Sequence, residues 1–384
     1  MAKVGDVFLL IRNGASIKQT EGASGLPITR IETISSRVVD RNKMGYADVV
    51  DNGEYDDYIL QDGDILMSHI NSEKHLGKTA IYENLDSEKI IHGMNLLVLR
   101  CDERLIPKYA YYFFNSNRFI HQIPNITKKS VNQASFNVSA LKQLYIPVPD
   151  KEVQKDIISV LDKVDNLCDC YNKQLNDLEL LIKSRFIEMF GNPAINPNSY
   201  PVKSMDEIAN YWNGLTYKPE NVSNEGTIVL RSSNIQNGKL DFKDIVRVNC
   251  QIGEKKYVRN NDILMCSRNG SSKLVGKVAL IESLTEPMCF GAFMMVIRSN
   301  YYPYLLTYFN TDAFRRQLSV GATTTINQIT VNMLNKITVP VPPIEQVKEY
   351  SFFVNQVNKS KLEVQKSLEE LETLKKSLMQ QYFG

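Results

Sequence analysis

Apolar positions follow their most regular pattern between residues 152 and 190, a stretch without glycine or proline. They recur there alternately every four and every three residues, which is the spacing of a coiled-coil seam. The pattern returns 193 residues later. The sequence therefore predicts two helices of about 40 residues, each roughly 60 Å long at about 1.5 Å per residue. The predicted seam comprises Ile157, Leu161, Val164, Tyr171, Leu175 and Leu178, then Val354, Val357, Val364, Leu368 and Leu371.

Two arrangements would bury this seam. The helices pair with each other, or each helix packs on its own globular domain. The length and continuity of the apolar stripe favour pairing. Lys361 and Lys375 are the two positions of the second seam that are not apolar.

The remaining parts of the chain have a different texture. Short apolar or alternating runs, at 4–11, 58–67 and 94–100, are separated by Gly, Asn and Asp, and this predicts strands joined by turns. Segments rich in Tyr and Phe, at 107–119 and 303–314, predict helices. The mixture indicates an α+β (mixed α/β) fold class.

An internal repeat organises these elements. Asp-Ile-Leu-Met occurs at 64–67 and 262–265, Gly-Lys at 77–78 and 276–277, and Phe-Gly at 190–191 and 383–384. Arg30 matches Arg231. The chain therefore consists of two copies, 1–191 and 192–384, each a globular domain followed by a helix. The predicted boundaries are 1–150, 151–191, 192–343 and 344–384.

Composition narrows the class of protein. The 384 residues carry a net charge of +2, and a hydrophobic fraction of 43% is typical of a soluble globular protein. Neither a membrane span nor a signal peptide is expected, and the six scattered cysteines indicate reduced thiols, so we predict a cytoplasmic protein. The two helices sum to a charge of −3 and the rest of the chain to +5. The basic excess therefore lies on the globular domains.

The sequence does not contain the motifs expected of an enzyme. All four histidines lie in the first copy, so a histidine base or metal site needed by both copies is not expected. The Gly-Lys segments lack the spacing of a phosphate-binding loop, and residues 192–195 lack the aromatic residue of an amino-methyltransferase motif. We predict that the chain is not itself an enzyme and holds neither a metal nor a cofactor.

Loops with nucleic-acid chemistry follow matched strands. The loop after Met265 carries three cations and no acid, and the loop after Met67 has a similar polar character. A second loop, 127–133 in one copy and 322–328 in the other, shares Asn-Gln, and Arg315 and Arg316 lie just before it in the second copy. Arg, Lys, Asn and Ser are the donors and acceptors that base edges and phosphates require.

The predicted contacts divide into two groups. Arg268, Asn269 and Ser271 are candidates for base contacts, with Ser68, His69 and Asn71 as their counterparts in the first copy. Six lysines are candidates for phosphate contacts: Lys74, Lys78, Lys128, Lys129, Lys273 and Lys277. The candidate set also includes Arg30, Asn132, Gln133, Arg231, Ser267, Thr324, Thr325, Asn327 and Gln328.

The repeated Asp-Ile-Leu-Met strands with Gly-Lys downstream, the Pro-Val-Pro junctions and the long helices ending in Phe-Gly form one pattern. Over the whole chain it resembles the specificity subunit of type I restriction-modification enzymes. The resemblance implies that 1–150 and 192–343 are target recognition domains, each reading one half of a split DNA site. It also implies that 151–191 and 344–384 pair as an antiparallel spacer with pseudo-two-fold symmetry and bind two methyltransferase subunits. S-adenosylmethionine, ATP and magnesium then belong to the methyltransferase and restriction subunits.

Three hypotheses remain at this stage. The first is a non-catalytic subunit that reads a bipartite DNA site. The second is a coiled-coil scaffold for protein–protein contacts without DNA reading, which the basic loops oppose. The third is an enzyme with its own methyltransferase or nuclease site, which the missing motifs oppose.

Overall fold

The computed structural model describes residues 1–20, 25–130, 133–319 and 327–384. The chain divides into two compact units. Unit 1 comprises Met1–Asn172 and Lys366–Gly384, and unit 2 comprises Lys173–Gln365. Each predicted long helix therefore contributes one part to each unit. The units mix short strands with helices, which confirms the predicted α+β class.

A four-stranded antiparallel sheet lies at the centre of unit 1. Its order is Phe8–Asn13, Leu96–Cys101, Ile65–Ser68 and Thr79–Ile81. Side chains alternate between the two faces of a strand, and the strand Ile65–Ser68 is buried on both. Ile65 and Met67 pack in the cluster that includes the Tyr/Phe-rich helix, whereas Leu66 packs in a second cluster on the other face.

Unit 2 has a central sheet of the same order: Asn210–Asn213, Met294–Arg298, Ile263–Cys266 and Val278–Leu280. Ile263 and Met265 again pack on the side of the Tyr-rich helix, and Leu264 packs on the other side. The sequence repeat is therefore a repeat of topology and of side-chain direction.

The other elements are short. Unit 1 adds the strands Ala2–Lys3, Gln19–Thr20, Leu26–Ile28, Gly45–Ala47, Ile70–Asn71, Lys128–Lys129, Ala134–Ser135 and Tyr145–Ile146, and the helices Pro107–Phe114, Asn117–Ile120, Ile123–Ile126 and Val138–Leu141. Unit 2 adds the strands Val202–Ser204, Val222–Ser223, Thr227–Leu230, Ile235–Gln236, Lys239–Leu240, Arg247–Val248, Met288–Phe290 and Thr338–Pro340, and the helices Met205–Ile208, Tyr302–Tyr308, Asp312–Ser319 and Val331–Leu334.

The Tyr/Phe-rich segments differ from the prediction of one helix each. The first breaks after Pro107–Phe114, where the Ser116 hydroxyl caps the next helix by accepting the N–H of Phe119 at 3.3 Å. The second breaks after Tyr302–Tyr308, where the Thr311 hydroxyl accepts the N–H of Phe314 at 3.4 Å. A hydroxyl side chain that satisfies the free N–H groups of a new helix makes such breaks stable.

The predicted long helices are present as Lys151–Phe190 and Ile344–Phe383, each of 40 residues. All the predicted seam residues are buried or half-buried along them. Within the described part of the chain, no helix is both long enough and apolar enough to span a membrane.

The two long helices run antiparallel. In unit 2, Arg185 contacts Glu349 at 2.9 Å and Glu179 contacts Lys361 at 2.9 Å, so numbers that fall along one helix rise along the other. Lys361 is only 8% exposed. A lysine is tolerated in an apolar seam because its charge is paired there. The predicted pairing of the helices is confirmed.

The helix ends also pack on the globular cores. In unit 1, Leu161 and Phe383 lie in one cluster with Tyr109, and the Phe383 and Tyr109 rings are 5.4 Å apart. In unit 2, the Phe190 ring lies 5.0 Å from that of Tyr304. Each helix therefore packs both on its partner helix and on globular cores. The repeated Phe-Gly ends mark these aromatic contacts.

Candidate nucleic-acid interface

Two loops that are distant in sequence are joined in unit 1. The strand Ile70–Asn71 pairs antiparallel with Ala134–Ser135, which in turn pairs with Lys128–Lys129. The N–H of Phe136 also donates to the carbonyl of His69 at 3.0 Å. We call residues 68–78 together with the described residues of 127–136 the paired loops of unit 1. They form one continuous surface at the end of the central sheet.

Unit 2 repeats this junction. Arg268 forms an antiparallel bridge with Gln328, and the N–H of Ile329 donates to the carbonyl of Ser267 at 2.7 Å. The N–H of Asn269 reaches the carbonyl of Asn327 at 3.4 Å. Residues 266–277 together with 327–329 are the paired loops of unit 2. The sequence identified these loops separately, and the structure brings them together in both units.

Several predicted contact residues present their side chains to solvent. Lys129 is exposed even though its ammonium lies 2.8 Å from the Glu73 carboxylate. Asn71 and Asn269 are half-buried, and each turns its side-chain oxygen to a backbone N–H of its own loop. The exposed members are Lys74, Lys128, Lys129, Gln133, Arg268, Ser271, Lys273, Asn327 and Gln328.

Three predicted residues lie in the interior instead. Ser68 is buried, and its hydroxyl donates to the carbonyl of His75. His69 is 3% exposed, with Nε2 3.4 Å from the side-chain nitrogen of Asn13, and burial lowers its pKa to about 4. Ser267 is buried, with its backbone N–H and carbonyl both engaged. These residues shape the loops, and their side chains do not face solvent.

The structure corrects the correspondence between the loops. Asp64 and Asp262 immediately precede equivalent strands, and from there Arg268 is matched by Ile70 and Asn269 by Asn71. The hydrogen bonds agree, since the N–H of Phe136 donates to His69 where the N–H of Ile329 donates to Ser267. Gln328 is therefore matched by Ser135, and the match with Gln133 was also displaced by two residues. The earlier pairing of Arg268 with Ser68 was displaced by two residues, because a polar pattern alone does not show where a strand ends.

Lys78 and Lys277 have equivalent partners. The Lys78 ammonium donates to the carbonyl of Ser35 at 3.3 Å, and that of Lys277 to the carbonyl of Ile235 at 2.7 Å. Each carbonyl lies at the end of a short helical turn, Ile31–Ile34 or Ser232–Asn234. Both lysines therefore hold their loop against the neighbouring segment.

The matched arginines Arg30 and Arg231 precede those turns. The Arg30 guanidinium contacts the side-chain oxygen of Gln19. That of Arg231 lies 2.7 Å from the Asp244 carboxylate. Both side chains are half-buried and occupied by protein partners. Asn132, Thr324 and Thr325 lie outside the described residues.

Two buried ion pairs fix the other end of the central sheets. The Arg100 guanidinium makes two hydrogen bonds of 2.8 Å to the carboxylate of Asp64. Arg298 makes two of 2.7 Å to Asp262. Asp64 and Asp262 are each 1% exposed. The repeated Asp-Ile-Leu-Met motif contains both aspartates, whereas their pairing with the arginines was not predicted, although each arginine lies near the end of a matched apolar strand.

The arrangement defines a class: two like α+β units, each presenting paired loops with exposed cations, combined with two antiparallel helices. The family model for the type I restriction modification DNA specificity domain matches residues 1–180 and 197–373. The chain belongs to this family and is a type I restriction-modification specificity subunit with two tandem specificity domains.

Known proteins agree with this assignment. The type I restriction enzyme MjaX specificity subunit of Methanocaldococcus jannaschii is 32% identical over 97% of this chain and 90% of its own length. The S subunit of a type I restriction-modification system from M. genitalium covers 100% of this chain and 95% of its own, with 15% identity and a TM-score of 0.56. A chain from a structure concerned with assembly of the type I R-M system covers 100% of this chain and 96% of its own, with 16% identity and a TM-score of 0.60. The two structures share the fold.

In the described ranges, no cluster of three or more His, Cys, Asp or Glu side chains is arranged to hold a metal ion. The buried histidines contact other protein groups and have lowered pKa values. Nε2 of His92 lies 3.0 Å from the carbonyl of Leu96, and burial lowers the pKa of His92 to about 3. Both His69 and His92 are therefore neutral at pH 7.

Proposed function

We propose that each unit reads one half of a bipartite duplex DNA site through its paired loops. The observation that carries this proposal is the β-pairing that joins two separate polar loops into one surface in both units. A surface built by backbone pairing holds its side chains in fixed positions, which base readout requires. The predicted division of the half-sites between 1–150 and 192–343 remains part of the proposal.

The geometry supports a revised division of the contacts. Arg268 and Ser271 in unit 2, and Asn71 in unit 1, are placed to reach base edges. The Asn269 side chain instead accepts the N–H of Ser271 at 3.0 Å and donates to the Ser232 hydroxyl at 3.1 Å, so it positions its loop. Ser68, His69 and Ser267 support the loops from within. The exposed lysines Lys74, Lys128, Lys129 and Lys273 suit phosphates, whereas Lys78 and Lys277 position their loops.

The long helices suit protein partners. Outside the seam they expose large apolar side chains, which a docked protein would remove from water. We propose that two methyltransferase subunits dock there and that restriction subunits join the assembly. The exposed residues are Val153, Leu167, Leu180, Leu181 and Ile187 on the first helix and Phe352, Leu362 and Leu374 on the second.

The reaction chemistry would then belong to the partners. S-adenosylmethionine would serve adenine-N6 methylation in the methyltransferase subunits, and ATP and magnesium would serve the restriction subunits. This chain would supply sequence recognition and act beside the DNA in the cytoplasm.

Retardation of duplex DNA at low salt tests the proposal. The full-length chain in complex with its methyltransferase subunits should retard its target. Replacing Lys128 and Lys129 by Gln should weaken binding to all sequences and lower the slope of log affinity against log salt by up to about 2. Lys142→Gln is the matched control, an exposed lysine of unit 1 outside the paired loops. A wild-type complex that retards no duplex would favour the scaffold hypothesis instead.

A further inference from the structure

An exposed phenylalanine stands beside the paired loops of unit 2. Phe293 is 59% exposed although it precedes a buried strand, Met294–Arg298. Neither the heptad seam nor the sheet core accounts for it. A ligand that covered this ring would remove its apolar surface from water, which is favourable.

The backbone holds Phe293 against the loop. Its carbonyl accepts the N–H of Ser267 at 2.9 Å and the N–H of Arg268 at 3.1 Å. The turn that carries it is closed by the N–H of Met294, which donates to the carbonyl of Gly291 at 2.8 Å. Phe293 is therefore fixed relative to the residue most suited to reading a base.

The two side chains are also in contact. The guanidinium carbon of Arg268 lies 5.3 Å from the centroid of the Phe293 ring, within the range of a cation–π contact. This contact restrains the guanidinium, whose paired donors match the O6 and N7 acceptors of guanine. The ring remains exposed beside it and offers an apolar surface.

We infer that Arg268 and Phe293 form one specificity-determining pair that reads a guanine and the methyl group of a neighbouring thymine. An apolar side chain distinguishes thymine by contact with its C5-methyl group. This inference rests on the proposed reading of DNA by the paired loops. Unit 1 has Ile70 and Asn95 at the equivalent positions. The pair is therefore specific to unit 2.

Single thymine-to-uracil replacements test the pair, because uracil lacks only the methyl group. The probe is the half-site read by unit 2, identified beforehand from the modified adenines, with each thymine replaced in turn. In complex with its methyltransferase subunits, the wild-type chain should lose about fourfold in affinity at one position. Phe293→Ala should not respond to that replacement. Phe242→Ala, which alters another exposed phenylalanine of unit 2, should respond as the wild type does.

The variant Arg268→Ala tests the second half of the pair independently. It should lower discrimination at one guanine by about five- to a hundredfold, at a base pair next to the responsive thymine. The inference is overturned if no thymine position responds, or if Phe293→Ala responds as the wild type does. In both cases the wild-type complex would still prefer its target, so the proposed function would survive. A wild-type complex that does not prefer its target would overturn both.

Discussion

The two units share the contacts that hold the central sheet together, and they differ in the loops that this sheet carries. Each has a buried Asp–Arg pair at one end of the central sheet, formed by Asp64 in unit 1 and Asp262 in unit 2. Each has a glycine whose added Cβ would lie 2.1 Å from a backbone oxygen, of His92 for Gly14 and of Phe290 for Gly214. These contacts are made by backbone or by buried groups, so they do not depend on the exposed loop residues.

The paired loops differ between the units, although the contacts within the central sheets are the same. Among the described residues, the paired loops of unit 1 carry two exposed lysines, Lys128 and Lys129, whereas those of unit 2 carry Arg268 in contact with Phe293. Because the loops are held through their backbones, side chains can change without loss of the sheet contacts. A tandem protein can thereby read two different sequences with one scaffold.

Removing the terminal aromatic anchors should have the largest effect. Phe383→Ala should cost about 3–5 kcal/mol in unit 1, and Phe190→Ala a similar amount in unit 2, because each ring is buried in an aromatic cluster. Hydrogen exchange of backbone amides should locate each loss in its own unit. Phe242→Ala is the exposed control. Equal loss of protection in both units from either variant would contradict the division described above.

The next largest effect should be a loss of stability at acid pH in unit 1 that unit 2 does not show. Burial lowers the pKa of His69 to about 4 and of His92 to about 3, against an ordinary value of 6.5, and unit 2 has no histidine. The unfolded chain takes up these protons first, so the stabilisation is complete above pH 6.5 and is lost as pH falls towards 4. Unit 1 should lose about 2 kcal/mol per histidine by pH 5.

His92→Phe installs the residue that unit 2 has at this position, Phe290. Measured by amide exchange between pH 7 and pH 5, this variant should flatten the pH dependence of unit 1. If the loss persisted undiminished in the double variant with His92→Phe and His69→Ser, these two histidines would not be its cause.

Replacing two lysines of unit 2 should have smaller and unequal effects on the salt dependence of DNA binding. Lys273 is exposed, so Lys273→Ala should lower the salt slope of DNA binding by about 0.9. The Lys277 ammonium is bound to the carbonyl of Ile235, so Lys277→Ala should change that slope less. Affinities measured between about 50 and 200 mM salt give both slopes. If Lys277→Ala changed the salt slope more than Lys273→Ala does, Lys277 would be a phosphate contact after all.

The smallest effect concerns one surface Arg–Glu pair in each unit. Hydrogen bonds from Arg41 and Arg247 lower the pKa of Glu88 and Glu286, respectively, below the ordinary 4.5. This stabilisation is present above pH 4.5 and is lost as pH falls further. Glu88→Gln and Glu286→Gln should each remove a small part of the acid sensitivity of one unit, measured as thermal midpoints at pH 5 and pH 3. Unchanged acid sensitivity would mean that the pairs contribute nothing measurable.

Local patterns predicted much of this fold. The long helices followed from a heptad stripe, and the strand after Asp64 was recognised because it recurs with its apolar residues. The exact ends of the Tyr/Phe helices were missed, since a capping hydroxyl such as that of Ser116 is inconspicuous in a polar segment.

Long-range contacts were beyond local patterns. The pairing of Asn71 with Ala134 depends on how two loops fold together, and the packing of Phe383 on Tyr109 joins segments that are far apart in the sequence. Phe293 gave no signal because a single exposed phenylalanine belongs to no periodic pattern. The sequence identified the residue types of the interface, and three-dimensional pairing determined which of them face solvent.

Replacement of residues 192–343 by the corresponding domain of a different specificity subunit tests the central claim most directly. Sequencing of modified adenines in DNA from cells with the chimera and its methyltransferase should show one half of the target changed and the other half retained. A target changed in both halves, or in neither, would contradict the account.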